Sequence, residues 1–275
     1  MTTLNIERYS LLGIEVDAAT LPDLYEMVSE AVAKGERRLI VNHNLHSVYL
    51  YHHDRRVAQA YDRADCLYAD GMQIVFLARA LGLPLQRKHR TTFLDSFEAL
   101  AGEAARRRWR LFYLGSKPGV AIRGAEMLRQ RFPELEIATQ DGYFDARPGA
   151  RENQKVVETI NAFRPQVLMV GMGMPRQEHW IIENLDAISA NAIFSCGATM
   201  DYLTSEIPTP PRWAGPLGAY GLVRLMNEPG RLWKRYLLEP WFVAGLFARN
   251  LLRLPRAKRL RTPAARRSVQ ENQQA

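Results

Sequence analysis

Short apolar runs alternate with longer amphipathic stretches along the first two hundred residues. Runs of this kind that close on Gly, Asp or Asn are typical of buried strands, and the stretches between them have helical periodicity. The predicted strands lie at 38–44, 66–71, 110–115, 135–139, 166–173 and 192–197. The predicted helices lie at 45–60, 72–82, 95–108, 116–132 and 151–163, and another begins in the loop 173–178.

This alternation predicts an α/β fold with a mostly parallel, Rossmann-like sheet and helices on both faces. The strands are continuous apolar runs, as expected when both faces of a sheet are covered. Ligands of such folds bind at the carboxyl ends of the strands. That rule selects the loops at 42–44, 70–71, 115–119, 141–144, 171–178 and 196–201.

The pattern changes after residue 203. Residues 207–221 are rich in Pro and Gly, so no regular element is expected to persist there. Two helix-like stretches follow, at 221–229 and 230–261, with an expected break at Pro229-Gly230. We therefore predict a catalytic core over residues 1–203, a basic helical appendage over 204–261 that associates with membranes, and a disordered tail over 262–275.

The net charge of +8 comes entirely from the appendage and tail. Residues 203–275 contain 13 Lys and Arg against 4 Asp and Glu, whereas residues 1–202 contain 24 against 25. Such a segment favours phosphates, nucleic acid or anionic lipid head groups. Because no recognisable nucleic-acid-binding module accompanies it, nucleic acid is not an expected partner.

Several other classes of protein are not expected. The N-terminus has no basic stretch followed by an apolar run, so it is not a signal peptide. The two cysteines, Cys66 and Cys196, indicate neither a disulfide framework nor a metal site. The longest apolar run of the appendage, Trp241–Ala248, is far shorter than the ~20 residues that span a bilayer. Its aromatic and basic residues instead suit a helix lying in the membrane interface.

Two polar residues follow the first two predicted strands. Asp70 is either a turn or helix-capping residue, or a general base at the ligand edge, where a carboxylate accepts a proton from a hydroxyl. Asn42 is either a turn former or a hydrogen-bond partner of the substrate. The HNLH motif at 43–46 has no further ligand near it, so no metal is expected.

Two glycine-containing loops link a strand to a helix. Gly115 and Gly119 border the first, and their backbone N–H groups either hold a phosphate or form a tight turn. Gly171 and Gly173 begin the second, which adds Arg176 and Gln177. Two such loops on one sheet edge indicate a nucleotide diphosphate, although the spaced G-x-G-x-x-G fingerprint is absent.

The appendage contains four closely spaced basic residues, Arg224, Arg231, Lys234 and Arg235. On a continuous helix the first three fall near one face. That face is either solvated or a clamp for a diphosphate, whose oxygens match the planar fork of Arg.

Together these segments resemble the WecG/TagA/CpsF bacterial glycosyltransferases, glycosyltransferase family 26. The resemblance covers about residues 11–253. The matching segments are VNHNLHSVYL (41–50), YADGMQIVFLARALG (68–82), LFYLGSKPGVA (111–121), DGYF (141–144), PQVLMVGMGMPRQEHWI (165–181), CGATMDYLTSE (196–206) and RLMNEPGRLWKRY (224–236).

The resemblance implies an inverting transferase that moves a sugar from a UDP-sugar to a polyprenyl-diphosphate-linked sugar. It implies cell-surface or exopolysaccharide biosynthesis by a peripheral protein on the cytoplasmic face of the plasma membrane, without a cofactor. Asp70 matches the family's proposed catalytic base, and Asn42 and Gln177 match substrate-binding positions. Arg224 and Arg231 match appendage arginines. The resemblance also implies that about 207–236 of the appendage form a lid that completes the active site, and that about 237–261 form the membrane-interface anchor.

The chain departs from the family pattern at three places, one of which is Ser205-Glu206, where small residues are expected. Lys234 stands where an Arg is often found, and it keeps the charge but loses the bidentate fork. In HRTTFLDSF (89–97), Arg90 and Asp95 can fill the family's Arg and Asp positions, but the expected Gly is missing. Arg90 is therefore a candidate substrate-binding residue.

Other functions remain open at this point. A nucleotide-binding scaffold or sensor at the membrane would bind UDP without turnover, and a Rossmann enzyme of another chemistry would bind NAD instead. A homo-oligomer is also open. The donor sugar, the acceptor sugar and the linkage are not fixed by the sequence.

Overall fold

The structure is a computed structural model that describes residues 6–215, 217–252 and 259–260. Its centre is a six-stranded parallel sheet with the strand order β4-β3-β8-β7-β5-β6. The strands are β3 (Arg38–His43), β4 (Cys66–Ala69), β5 (Leu111–Gly115), β6 (Ile137–Gln140), β7 (Val167–Gly171) and β8 (Ala192–Ser195). The predicted α/β fold class and all six predicted strands are confirmed.

Helices cover both faces of this sheet. They are α1 (Leu21–Lys34), α2 (Leu45–His53), α3 (Arg55–Asp62), α4 (Met72–Ala80), α5 (Phe93–Arg107), α6 (Val120–Arg131), α7 (Arg151–Phe163), α8 (Arg176–Asn184) and α9 (Thr199–Leu203). One apolar cluster fills the face under α1, α5 and α6, and a second fills the face under α3, α7 and α8. Burial on both faces explains why the strands are continuous apolar runs.

The N-terminal hairpin and α1 carried no prediction from the sequence. Strands β1 (Arg8–Leu11) and β2 (Ile14–Asp17) pair antiparallel, each with only four residues. Arg8 ties them to the sheet, because its guanidinium donates to Asp17 at 2.7 Å and to the carbonyl of Asp65 at 2.9 Å. The N-cap of α1 is Thr20, which forms a reciprocal capping box with Asp23.

The single helix predicted over 45–60 is in fact two helices. Asp54 lies between α2 and α3, and its carboxylate accepts from the backbone N–H groups of Arg56 and Val57. A side chain that satisfies these free donors starts a new helix. The prediction of one continuous helix is therefore wrong at this residue.

The appendage is helical, as predicted. It contains α10 (Tyr220–Asn227), α11 (Pro229–Trp233), a π-helical turn (Lys234–Leu238) and α12 (Glu239–Leu252). The expected break at Pro229 is confirmed, since α10 ends two residues before it. The predicted helix does not continue to 261, because residues 259–260 form a strand, β9 (Arg259–Leu260), that pairs with β1. Pro255 lies between and has no N–H for a helix interior.

α12 packs on the core through one face. Val243 is buried, and Phe242, Leu246 and Phe247 pack on the same apolar cluster, which also contains α4 and the hairpin β1–β2. No helix in the described part of the chain has the length and apolarity that crossing a membrane requires. The predicted tail at 262–275 lies outside the described residues.

Candidate active site

A cavity of about 230 Å³ lies at the carboxyl edge of the sheet. The loops after β3, β4, β7 and β8 form its floor and walls, and the appendage forms its roof. The roof residues include Tyr220, Arg224, Arg235, Tyr236 and Pro240. The cavity is thus built by core and appendage together. It brings together five of the predicted site residues: Asn42, Asp70, Gly173, Gln177 and Arg224.

Asp70 lies on the cavity wall directly after β4. Its backbone N–H donates to the carbonyl of His43 at 2.8 Å, which extends the pairing of β3 and β4 by one residue. Burial raises the pKa of the Asp70 carboxyl, while hydrogen bonds from Thr92, Asn44 and Asn42 and the charge of Arg90 oppose that rise. A half-buried carboxylate with a raised pKa at a cavity wall is suited to accept a proton.

Asn42 lines the cavity as predicted, but its amide is already engaged. Nδ2 donates to Asp70 Oδ2 at 2.8 Å, and Oδ1 accepts from the Ser195 hydroxyl at 3.0 Å. Only 6% of the residue is exposed. Asn42 therefore holds the Asp70 carboxylate in a fixed orientation.

Gln177 also lines the cavity and is almost completely buried. It lies in the first turn of α8, which begins after the cis Met174–Pro175 bond. Its side-chain oxygen accepts from the backbone N–H groups of Gly173 and Gly197, at 3.2 and 3.1 Å. Gln177 thus connects the loop after β7 to the loop after β8.

Of the glycines predicted to bind a nucleotide, Gly173 lines the cavity, whereas Gly115 and Gly171 pack against each other. A Cβ added at Gly115 would lie 2.3 Å from the carbonyl oxygen of Gly171, and one at Gly171 would lie 2.1 Å from the Tyr113 hydroxyl. Glycine at these two positions permits the backbones to approach closely at the carboxyl ends of β5 and β7. Gly119 has a φ of 81° and is the N-cap of α6, outside the cavity wall.

Arg176 and Arg90 lie beside the cavity rather than on its wall. Arg176 donates to the carbonyl of Phe144 at 2.9 Å. The Arg90 guanidinium pairs with Asp95 at 2.5 Å and lies 5.6 Å from the ring centroid of Tyr220. Tyr220 also donates to Asp95 at 2.9 Å, so this group joins the core to the appendage.

Among the basic residues of the appendage, Arg224 and Arg235 reach the cavity and Lys234 does not. Arg224 lies over the ring of Tyr202, 5.9 Å from its centroid. Lys234 is exposed, with its ammonium 5.6 Å from the Trp233 ring centroid. Arg231 lies in α11, and its side chain is outside what the structure describes.

Arg235 lies in the π-helical turn and lines the cavity. It follows Arg224 by eleven residues, about three turns of an α-helix, so helical spacing alone places the two close to one face. Burial lowers the pKa of Arg235, and within the described residues no carboxylate forms an ion pair with it. The guanidinium lies over the ring of Tyr236, 5.5 Å from its centroid. A largely desolvated cation without an anionic partner is costly, so this position favours an anionic ligand.

A second contact fixes the appendage over the cavity. His46, on the cavity wall, is hydrogen-bonded through Nδ1 to Glu239 at 2.6 Å. Burial lowers the pKa of His46, and Arg235 and Arg224 act in the same direction, against the hydrogen bond to Glu239. His46 is therefore neutral near pH 7 and donates to the Glu239 carboxylate.

Three further side chains hold the two polar residues of the site. Thr92 and Asn44 line the cavity and hydrogen-bond to Asp70, and Ser195 lies behind the wall and donates to Asn42. Of these three, only Asn44 lies in a loop that the sequence selected, at 42–44. Arg235 was counted among the basic residues but not selected, because the family resemblance pointed to Lys234 beside it. Within the described residues no group of three or more His, Cys, Asp or Glu side chains could hold a metal ion.

Comparisons with known proteins identify the family. Among the relatives are two with the name N-acetylglucosaminyldiphosphoundecaprenol N-acetyl-β-D-mannosaminyltransferase. One, from Bacillus spizizenii, is 27% identical over 66% of this chain and 68% of its own. The other, from Staphylococcus aureus, is 24% identical over 84% of this chain and 87% of its own. The model of the glycosyl transferase WecG/TagA/CpsF family matches residues 9–257, and the chain belongs to that family.

Proposed function

We propose that this glycosyltransferase moves a sugar from a UDP-sugar to a polyprenyl-diphosphate-linked sugar, with inversion at the anomeric carbon. The observation that carries the proposal is the cavity itself. A carboxylate with a raised pKa, Asp70, and two appendage cations, Arg224 and Arg235, line the same space of about 230 Å³. That combination supplies a base for the nucleophile and positive charge for a diphosphate leaving group.

In the proposed reaction Asp70 accepts the proton of the acceptor hydroxyl as its oxygen attacks the anomeric carbon. The bond from that carbon to the diphosphate oxygen breaks, and UDP leaves with the electron pair. A single displacement of this kind inverts the configuration. General-base assistance typically contributes ~10²–10⁴-fold.

The charge that develops on UDP needs fixed positive partners. Arg224 and Arg235 are on the cavity wall. A cation that forms no ion pair can contact the diphosphate without first breaking a bond to a carboxylate. Preorganised charge in a site that excludes water stabilises a transition state strongly. We predict no metal requirement, so transfer should persist when EDTA is added.

The nucleoside is proposed to lie towards the loops after β5 and β6. A Cβ at Gly142 would lie 3.2 Å from Gly115 and 3.3 Å from Met172, so these loops form a surface continuous with the cavity at Gly173. On this surface Tyr143 is 63% exposed and offers an aromatic face to a base. In this proposal the loops after β5 and β7, which the sequence predicts to bind a nucleotide, still contribute to the nucleotide site.

The acceptor is proposed to be presented by the inner face of the plasma membrane. The exposed large apolar residues of the appendage support this proposal: they are Trp213, Leu217, Leu222, Met226, Trp233, Leu237, Leu238, Trp241, Leu251 and Leu252. Apolar and aromatic residues beside basic ones are typical of helices in the membrane interface.

The names of the relatives make UDP-N-acetylmannosamine the first donor to test and lipid-diphosphate N-acetylglucosamine the first acceptor. The full chain is incubated with a panel of UDP-sugars and lipid-diphosphate acceptors, and the product is identified by mass and anomeric configuration. One inverted product is expected. UDP binding without product from any pair would contradict a transferase and support the scaffold alternative.

A further inference from the structure

Glu178 follows Gln177 in α8 and lies behind the cavity wall. It is fully buried, and its Oε1 accepts from the side-chain Nε2 of Gln177 at 2.7 Å. We propose, on the basis of the proposed transfer reaction, that Glu178 is a positioning residue: its carboxyl orients the Gln177 amide, which holds two loops of the cavity together.

The orientation of the Gln177 amide matters because both of its polar ends are in use. Its oxygen faces two donors, the N–H groups of Gly173 and Gly197. If the amide were turned over, its NH₂ group would face those two N–H groups and both bonds would be lost. Glu178 Oε1 accepts from the NH₂ group of Gln177, so it favours the orientation in which the Gln177 oxygen faces the loops.

The two loops need this connection because strand pairing has ended before them. The last paired residues of β7 and β8 are Val170 and Ser195, and the N–H of Cys196 donates to the Val170 carbonyl at 2.9 Å. Gly173 and Gly197 follow, with φ values of 82° and 62°. Both glycines line the cavity, and the Gln177 oxygen continues the connection between strands where the ladder stops.

Stability does not explain a carboxyl at this position. Glu178 Oε2 has no hydrogen-bond partner within the described residues. Burial raises the pKa of Glu178 to about 7; the hydrogen bond from Gln177 and the charge of Arg235 oppose the rise, and Asp54 adds to it. An apolar side chain of similar size would avoid this cost of burial. The cost is consistent with a role in holding the cavity wall.

Two substitutions separate the hydrogen bond from the charge. Glu178→Gln removes the charge and keeps an oxygen at the same reach, so kcat/KM should stay within about threefold of wild type. Glu178→Asp keeps the charge but withdraws the carboxyl by one methylene, so kcat/KM should fall about tenfold or more, as for loss of a hydrogen bond to a charged group. Glu183→Asp, on the same helix, is the matched control and should leave kcat/KM unchanged.

A double-mutant cycle tests whether Glu178 acts through Gln177. In a Gln177→Ala background, Glu178→Asp should cost less than about twofold, because the amide that it orients is gone. Equal costs in both backgrounds would overturn the proposal. So would a Glu178→Asp variant that is as active as wild type, or a Glu178→Gln variant that is as impaired as Glu178→Asp.

Hydrogen exchange gives a readout that does not depend on sugar transfer. In the full-length protein, Glu178→Asp should speed exchange of the Gly173 and Gly197 amides at least tenfold, and Glu178→Gln should not. Unchanged exchange at both amides in Glu178→Asp would contradict the connection itself. If the wild-type chain transfers no sugar, the proposed function fails, and this measurement still decides whether Glu178 holds the loops.

Discussion

The two halves of the cavity wall differ in how their charged and polar groups are paired. On the core side, Asp70 is held by Asn42, and Asn42 is held by Ser195. On the appendage side, Arg235 faces the cavity with no ion-pair partner within the described residues. A paired group has a fixed geometry before any ligand arrives, whereas a desolvated cation without an ion pair gains an anionic partner only when a ligand binds.

This contrast assigns different tasks to the two regions. Fixed geometry suits proton transfer, which requires a base at a defined distance from a hydroxyl. Unpaired charge suits binding of a diphosphate, whose oxygens replace the lost hydration of the guanidinium. The core therefore supplies the chemistry, and the appendage supplies charge and completes the enclosure.

Removing the charge of Arg235 is the strongest test of the difference between the two regions. Arg235→Met should lower kcat/KM by about tenfold to a hundredfold, since it removes a charged hydrogen-bond donor from the diphosphate. Lys234→Met is the matched control, because Lys234 is exposed beside Trp233, and it should stay within about twofold. A larger loss for Lys234→Met than for Arg235→Met would show that Arg235 is not the cation that contacts the diphosphate.

The exposed apolar face of the appendage should govern membrane binding. Trp241 is 78% exposed and Leu252 is 87% exposed. Replacing both by Ser should lower the partition coefficient for anionic liposomes about tenfold, because less apolar area enters the interface. Turnover of a water-soluble acceptor should not change. Wild-type liposome binding by this variant would rule out α12 as the contact.

The pH dependence should report the carboxylate on the core side. Because burial raises the pKa of Asp70, its proton is lost at a higher pH than the ordinary value of 3.8. Activity requires the ionised form, so kcat/KM should fall as pH decreases through this raised pKa. Steady-state rates between about pH 4 and 8 measure it. An acid limb at or below the ordinary Asp value would show that Asp70 is not desolvated.

The smallest effect tests how the appendage is attached. Val243 is buried between α12 and the core, whereas its neighbour Trp241 faces outwards. Val243→Ala should destabilise the protein by about 1–2 kcal/mol, from two lost methyl groups and the space they leave. Thermal or urea unfolding measures it. No change would mean that α12 is not packed on the core in solution.

The central sheet and part of the site were predictable from the sequence, for physical reasons. Strands buried on both faces are apolar runs, and the loops at their carboxyl ends already contained Asp70, Asn42 and Gln177. Strands β1 and β2 of the N-terminal hairpin have only four residues each, too few for an apolar pattern that predicts a strand. Their position depends on the long-range bonds of Arg8 to Asp17 and Asp65.

The appendage was harder to predict, because its helical segments are interrupted and the direction of a side chain depends on where each segment begins. The family resemblance selected Lys234, whereas the next residue, Arg235, lines the cavity. The packing of Gly115 on Gly171 could not be predicted either. Glycine is found both where two backbones approach closely and in phosphate-binding turns, so its presence does not distinguish the two. The role of Arg231 stays a prediction.

Single-turnover transfer by Asp70→Asn tests the account most directly. Asn keeps the shape and still accepts from Asn42. Because the pKa of Asp70 is raised in the folded state, the ionised carboxylate costs stability at pH 7, and the variant should unfold at the same or a higher temperature. With UDP affinity unchanged, the account predicts a rate lowered by ~10²–10⁴-fold. A rate near that of the wild type would contradict it.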